Sequence, residues 1–122
     1  MNKKSKTKLK LNSKCWIETF DGKGILGDGR IALLKIIDSE GSIQAAAVKS
    51  GISYRKIWGI LKNEEDILGF PLLNKQRGGV RGGSSFLTPE AIKLITAYEK
   101  SKKNLEKAIS MISIAFEKSI NK

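Results

Sequence analysis

Residues 41–61 read GSIQAAAVKSGISYRKIWGIL, and the order of small, breaking and basic residues in this stretch decides the fold. Ser42 is placed to cap a helix of about two turns that runs to Ser50, and Ser53 to cap a longer one from Tyr54 to about Leu68. Only Gly51, Ile52 and Ser53 separate them. So short a connection makes the two helices cross steeply, and Gly51 supplies the positive φ that a side chain would resist. The run Ala45-Ala46-Ala47 then has a steric reason: small residues at the contact, Ala46 and Ala47 in particular, let the backbones approach.

Upstream, Ile31, Leu33, Leu34 and Ile37 recur at helical spacing until Gly41 stops them, which predicts a first core helix with Asp28 as its cap. Further back, Leu9 and Leu11 alternate with lysines, Asn12 and Ser13 supply turn chemistry, and residues 14–20, KCWIETF, are β-rich. A small hairpin is expected there. Residues 1–8, MNKKSKTK, have nothing to bury and read as a disordered basic arm.

Downstream of Gly69, Pro71 keeps residues 70–73, FPLL, extended. Two short strands, about 72–75 and 85–87, joined by a glycine-rich basic tip, form a wing. Thr88-Pro89-Glu90 is a compact helix start, with a capping hydroxyl, proline at the first helical position and an acid near the positive end of the dipole. From there to about Lys118 neither Gly nor Pro occurs, so one long helix is expected. Its apolar stripe, with Leu105, Ile109, Ile112 and Phe116 towards the end, fits packing on a second copy or on the hairpin. The fold class is mainly α with small β elements: a basic arm (1–8), a β-hairpin extension (9–27), a winged helix-turn-helix (28–91) and the rest of the long helix (92–122), the dimerisation element.

Composition narrows the function. The 122 residues carry 23 Lys and Arg against 12 Asp and Glu, a formal charge of +11, which points to a polyanionic partner. No apolar run approaches the roughly 18 residues that span a bilayer, and the lysine-rich start lacks the apolar core of a signal peptide, so a cytoplasmic protein with no membrane partner is expected. With no histidine and a single cysteine, Cys15, the His-based catalytic, zinc and haem sites are excluded, as is an internal disulfide. No catalytic residue, metal or cofactor is implied. The acids Glu64, Glu65 and Asp66 read as solvated charges on one helix turn.

The partner is carried by the second helix of the pair. At 100° per residue, Ile57, Ile60, Leu61, Ile67 and Leu68 share a core face, while Arg55, Gly59, Lys62 and Asp66 fall opposite, flanked by Lys56 and Asn63. Such a face suits the DNA major groove, where Arg and Lys pair with guanine edges and Asn with adenine, and where Gly59 permits close approach. The N-terminal part of the second helix meets the bases in helix-turn-helix docking, which favours Ser53, Tyr54, Arg55 and Lys56. Tyr54 and Trp58 lie at the margin of the two faces, where core packing and partner contact are both open. Ser42 and Gln44, at the start of the preceding helix, complete the DNA-facing set. In the wing, Lys75, Arg77 and Arg81 are candidates for phosphate or minor-groove contacts. A nucleotide-binding loop would need Gly-Lys-Ser/Thr before a helix, and RGGSSF at 81–86 has no such lysine.

These same residues carry a resemblance. GSIQAAA before SGISYRKIW, then LGFPLL, a wing with two Gly-Gly pairs, and LTPEA, all within Gly29–Ala91, resemble the N-terminal winged helix-turn-helix domain of the ModE family of molybdate-responsive transcriptional regulators. The related LysR-type domain shares the GS, AA, LG-PL and LTP elements, with a shorter wing. The resemblance implies a homodimer that binds operator DNA through Ser53–Lys62 and the wing from Lys75 to Arg81. Full-length family members continue into oxyanion-binding modules, for which no room is expected here, so no molybdate site is expected in this chain. Gly59 departs from the polar or acidic residue that the family often carries. The leading expectation is therefore a sequence-specific, dimeric DNA-binding regulator and not an enzyme. The alternative is an architectural or protein-interaction module whose basic tails bind nucleic acid nonspecifically.

Overall fold

The computed structural model describes residues 6–76 and 83–121. It is mainly helical, in the order α1 (Asp28–Glu40), α2 (Ile43–Ser50), α3 (Tyr54–Leu68), β1 (Leu73–Gln76), β2 (Ser84–Leu87) and α4 (Pro89–Ile120). Two compact units divide the chain: Cys15–Tyr98, and the N-terminal residues up to Lys14 together with Glu99–Lys122.

In the larger unit each helix ends where its sequence dictates. Gly41, Gly51 and Gly69 follow α1, α2 and α3 in the left-handed conformation, and each donates its backbone N–H to a carbonyl of the last turn. The Ser42 hydroxyl accepts from Ala45 N at 3.0 Å and the Ser53 hydroxyl from Lys56 N at 3.1 Å, so both expected caps form. The expected cap of α1 does not. Gly27 occupies the N-cap position with no side-chain bond, and Asp28, inside the first turn, instead accepts a hydrogen bond from Tyr98.

The core gathers Ile31, Leu34 and Ile37 of α1, Ala46 of α2, Ile57 and Leu61 of α3, Leu72, and Ala91 and Ile95 of α4. Ala46 is fully buried, and Ala47 packs partly buried against the core. Full burial of a leucine such as Leu61 contributes about 1.5–3 kcal/mol. Ile60, Ile67 and Leu68 complete the inward side of α3 as half-buried residues.

β1 and β2 pair antiparallel, with Leu73 opposite Leu87 and Gln76 opposite Ser84. Side-chain and backbone bonds weld this pair to the helices: the Asp38 carboxylate accepts from Leu87 N, Gly41 O from Ser85 N, and the Glu65 carboxylate from Leu72 N. Thr88 is buried; its hydroxyl accepts from Ala91 N and donates to Pro71 O, so one side chain caps α4 and ties down the extended segment before β1.

The N-terminal extension differs from expectation. No strand forms between Leu9 and Phe20, and Asn12–Ser13 is not the turn of a hairpin. A short ladder instead closes around Asp21–Gly22, where Ile17 N donates to Leu26 O, Ile25 N to Ile17 O and Thr19 N to Lys23 O. Gly22, with φ 92°, supplies the reversal. In the smaller unit, residues 6–14 have no regular secondary structure, and Leu11 N donates at 2.8 Å to the hydroxyl of Ser113, a buried residue of α4.

Candidate nucleic-acid interface

The outward face of α3 is built as its periodicity requires. Ile57 and Leu61 are buried, so residues half a turn away must point out, and Arg55, Lys56, Gly59, Lys62, Asn63 and Asp66 are all exposed. Ser53 and Tyr54 at the start of the helix are exposed as well, and Gln44 lies exposed on α2, with Ser42 half-buried as its cap. The structure thus places Tyr54, Arg55, Lys56, Gly59, Lys62 and Asn63 on one helix, with Ser53 as its N-cap.

Tyr54 and Trp58 resolve differently. Trp58 packs half-buried against the core, and Tyr54, 49% exposed, meets it edge to face with ring centroids 6.1 Å apart. The tyrosine is a surface ring held by a core-anchored indole, an arrangement worth about 0.5–1.5 kcal/mol beyond burial.

Gly59 has no structural excuse inside the chain. It sits in the middle of α3, and a Cβ built on it meets nothing within 4 Å. A mid-helix glycine costs about 1 kcal/mol relative to alanine. That cost is uncompensated by any contact among the described residues.

Two of the three acids read as solvated charges are nothing of the kind. Glu64 is 1% exposed and pairs with Arg30 of α1, while Glu65 binds Leu72 N. Only Asp66 stays on the solvent side. The sequence signal for Glu64 was its helical phase: it follows Ile57 by seven residues and Leu61 by three, which places it on the buried face.

Of the strand-pair residues, Lys75 contributes backbone to β1, opposite Ser85. Its side chain, and Arg77 and Arg81 altogether, lie outside the described residues. On α4, Leu105 and Ile112 are exposed, whereas Ile109 and Phe116 are half-buried. Ile109 shares a groove with Lys10, Leu11 and Asn12 of its own chain.

Among the described residues no group of His, Cys, Asp and Glu could hold a metal ion, and no helix is long and apolar enough to cross a membrane. The Tyr98 hydroxyl, buried and sharing its one proton between Asp28 at 2.8 Å and Cys15 O at 2.9 Å, is pushed well above its usual pKa, first by burial and then by the Asp28 bond.

No family model matches the chain. Individual proteins do. The chain is 38% identical over 96 residues to the molybdenum-pterin-binding protein MopB of Rhodobacter capsulatus, covering 79% of this chain and 34% of that one. It is 35% identical over 83 residues to the transcriptional regulator ModE of Haemophilus influenzae, covering 68% and 32%. To the DNA-binding transcriptional dual regulator ModE of Escherichia coli K12 it is 33% identical over 84 residues, covering 69% and 32%. The resemblance read from the motifs therefore holds along much of the chain, which spans about a third of the length of the curated relatives it matches. The crystal structure of ArgP from Mycobacterium tuberculosis is similar with a TM-score of 0.46 and 20% identity, covering 68% of this chain and 29% of that one, too slight a likeness to bear on the fold.

Proposed function

We propose that this relative of the ModE regulators is a transcriptional regulator that binds double-stranded DNA as a homodimer, with α1–α3 and the β1–β2 pair acting as a winged helix-turn-helix. The observation that carries the reading is the outward face of α3, where Arg55, Lys56, Lys62 and Asn63 surround a side-chain gap at Gly59. Arginine and lysine donors suit guanine edges and an asparagine suits adenine, all within a major groove that admits a helix. The names of the ModE relatives support the same reading.

The roles divide by position. Ser53, Tyr54, Arg55 and Lys56, on the first turn of α3 and its cap, meet the bases; Lys62 and Asn63 extend that contact one to two turns further. Ser42 and Gln44 at the start of α2, with Lys75, Arg77 and Arg81 of the wing, hold phosphates and fix the register without reading sequence. Lysines of the N-terminal segment add salt-sensitive attraction. Two copies place two α3 helices about one DNA turn apart on a palindrome, and occupancy of that site alters transcription.

The test compares two substitutions on two duplexes. Arg55→Ala is expected to weaken binding to the selected site by about 1–3 kcal/mol more than binding to random DNA. Arg77→Ala is expected to weaken both alike and to lower the salt dependence by about one charge. Equal losses on both duplexes for both substitutions would refute the division of roles.

A further inference from the structure

The first turn of α3 stands clear of the core. Ser53, Tyr54, Arg55 and Lys56 are exposed in succession, and burial of the helix begins only at Ile57. Helical phase alone does not give this. At 100° per residue Tyr54 lies about 60° from Ile57 and Trp58 about 100°, so Tyr54 is the nearer to the middle of the core face. Yet Tyr54 is 49% exposed and Trp58 is half-buried. Position along the axis decides the matter: Tyr54 is the first residue of α3 and precedes the part of the helix that the core covers.

A tyrosine so placed would turn freely in solvent, and ordering it against a partner would cost rotamer entropy. Trp58, four residues on and therefore a neighbour on the helix surface, removes that freedom. Its indole packs against the core and meets the Tyr54 ring edge to face, with 6.1 Å between centroids and 68° between planes. The contact is between rings, so it is the apolar body of the tyrosine that the chain orients.

A fixed apolar ring has a narrow choice of contacts in a major groove. Base edges there offer donors and acceptors, which suit Arg55, Lys56 and Asn63, and a single methyl group, at C5 of thymine. Tyr54 immediately precedes Arg55 and Lys56, on the turn that meets the bases in helix-turn-helix docking. We infer that the Tyr54 ring packs on the 5-methyl group of one thymine in each half-site, and that Trp58 is its positioning residue, holding the ring in the orientation that makes the contact. This rests on the DNA reading proposed above and names the base that the exposed ring of α3 selects.

The test uses the full chain and a fluorescent duplex carrying the site that the protein selects from a random library. Each thymine of one half-site is replaced in turn by deoxyuridine, which lacks only the methyl group, and the ratio of the two dissociation constants is read by anisotropy. One replacement is expected to weaken wild-type binding about fourfold, the worth of one buried methyl group. Tyr54→Ala is expected to bind the two duplexes alike, and Tyr54→Phe, which keeps the ring, to retain the wild-type ratio. Trp58→Leu is expected to bring the ratio close to unity and Trp58→Phe, which restores a ring edge, to recover it. A loss of stability alone does not move this ratio, because both duplexes meet the same folded protein. A half-site without a methyl-sensitive thymine, or a ratio that survives Tyr54→Ala, would overturn the contact while leaving sequence-specific DNA binding in place. A ratio unchanged in Trp58→Leu would overturn the positioning role. A protein that selects no site would overturn the DNA reading itself and this inference with it.

Discussion

Arg30, in the first turn of α1, is ion-paired to Glu64 of α3, whose carboxylate is buried to 1% exposure. The pair joins the first core helix to the helix that presents the basic face. The Arg30 side chain is 44% exposed, so water screens part of the interaction, and the carboxylate is the costly member. Arg30→Ala leaves that carboxylate buried without its cation and is expected to destabilise the fold by about 2–4 kcal/mol in urea unfolding. Replacing both partners with leucine is expected to recover most of the loss. A double replacement as unstable as Arg30→Ala would show that the pair itself, and not the stranded charge, holds the helices.

Tyr98 predicts a pH dependence of known sign. Its pKa is raised in the folded protein, so the neutral hydroxyl is the favoured form, and its contribution is fully present below about pH 10 and lost as pH rises beyond that. The wild-type melting temperature is expected to fall more steeply above pH 10 than that of Tyr98→Phe. Parallel curves for the two proteins would remove Tyr98 from the account.

Thr88 and Ser53 cap helices with the same chemistry in different surroundings. Ser53 is exposed and makes one bond, so Ser53→Ala is expected to cost about 1 kcal/mol. Thr88 is buried and makes two, and Thr88→Val strands both the Pro71 carbonyl and the Ala91 N–H. A cost of about 2–3 kcal/mol is expected, read from chemical denaturation. Equal costs for the two would show that burial adds nothing at Thr88.

The contrast between these residues explains what was readable in the sequence. Ser42, Ser53, Gly41, Gly51 and Gly69 act within a few residues of themselves, so their roles as caps and stops follow from local chain geometry, and α1–α3 lie where their periodicity put them. Glu64, Glu65 and Asp28 take partners 7 to 70 positions away, at Arg30, Leu72 and Tyr98, which no local pattern reports. The expected hairpin at Asn12–Ser13 missed for the same reason. Leu11 donates to Ser113, 102 positions away, and a tertiary partner displaced the local turn. The outward face of α3 was legible because exposure follows from the phase of the buried residues.

Gly59 separates stability from recognition. Since an added methyl meets nothing, Gly59→Ala is expected to stabilise the folded chain by about 0.5–1 kcal/mol through helix propensity alone. The same methyl obstructs close approach of the helix to the groove floor, so affinity for the selected DNA site is expected to fall about tenfold while affinity for random duplex is unchanged. Thermal melting and fluorescence-anisotropy titration measure the two effects. A stabilised variant that binds the site as tightly as the wild type would show that the gap at Gly59 is not used by DNA.

The central claim is sequence-specific reading of DNA by a two-fold protein, and selection of bound sequences from a random duplex library at near-physiological salt tests it most directly. The account predicts enrichment of a palindrome with half-sites about one helical turn apart. Recovery of no common sequence, with binding that fades steadily as salt rises, would contradict it and identify the chain as an architectural module that holds DNA by charge alone.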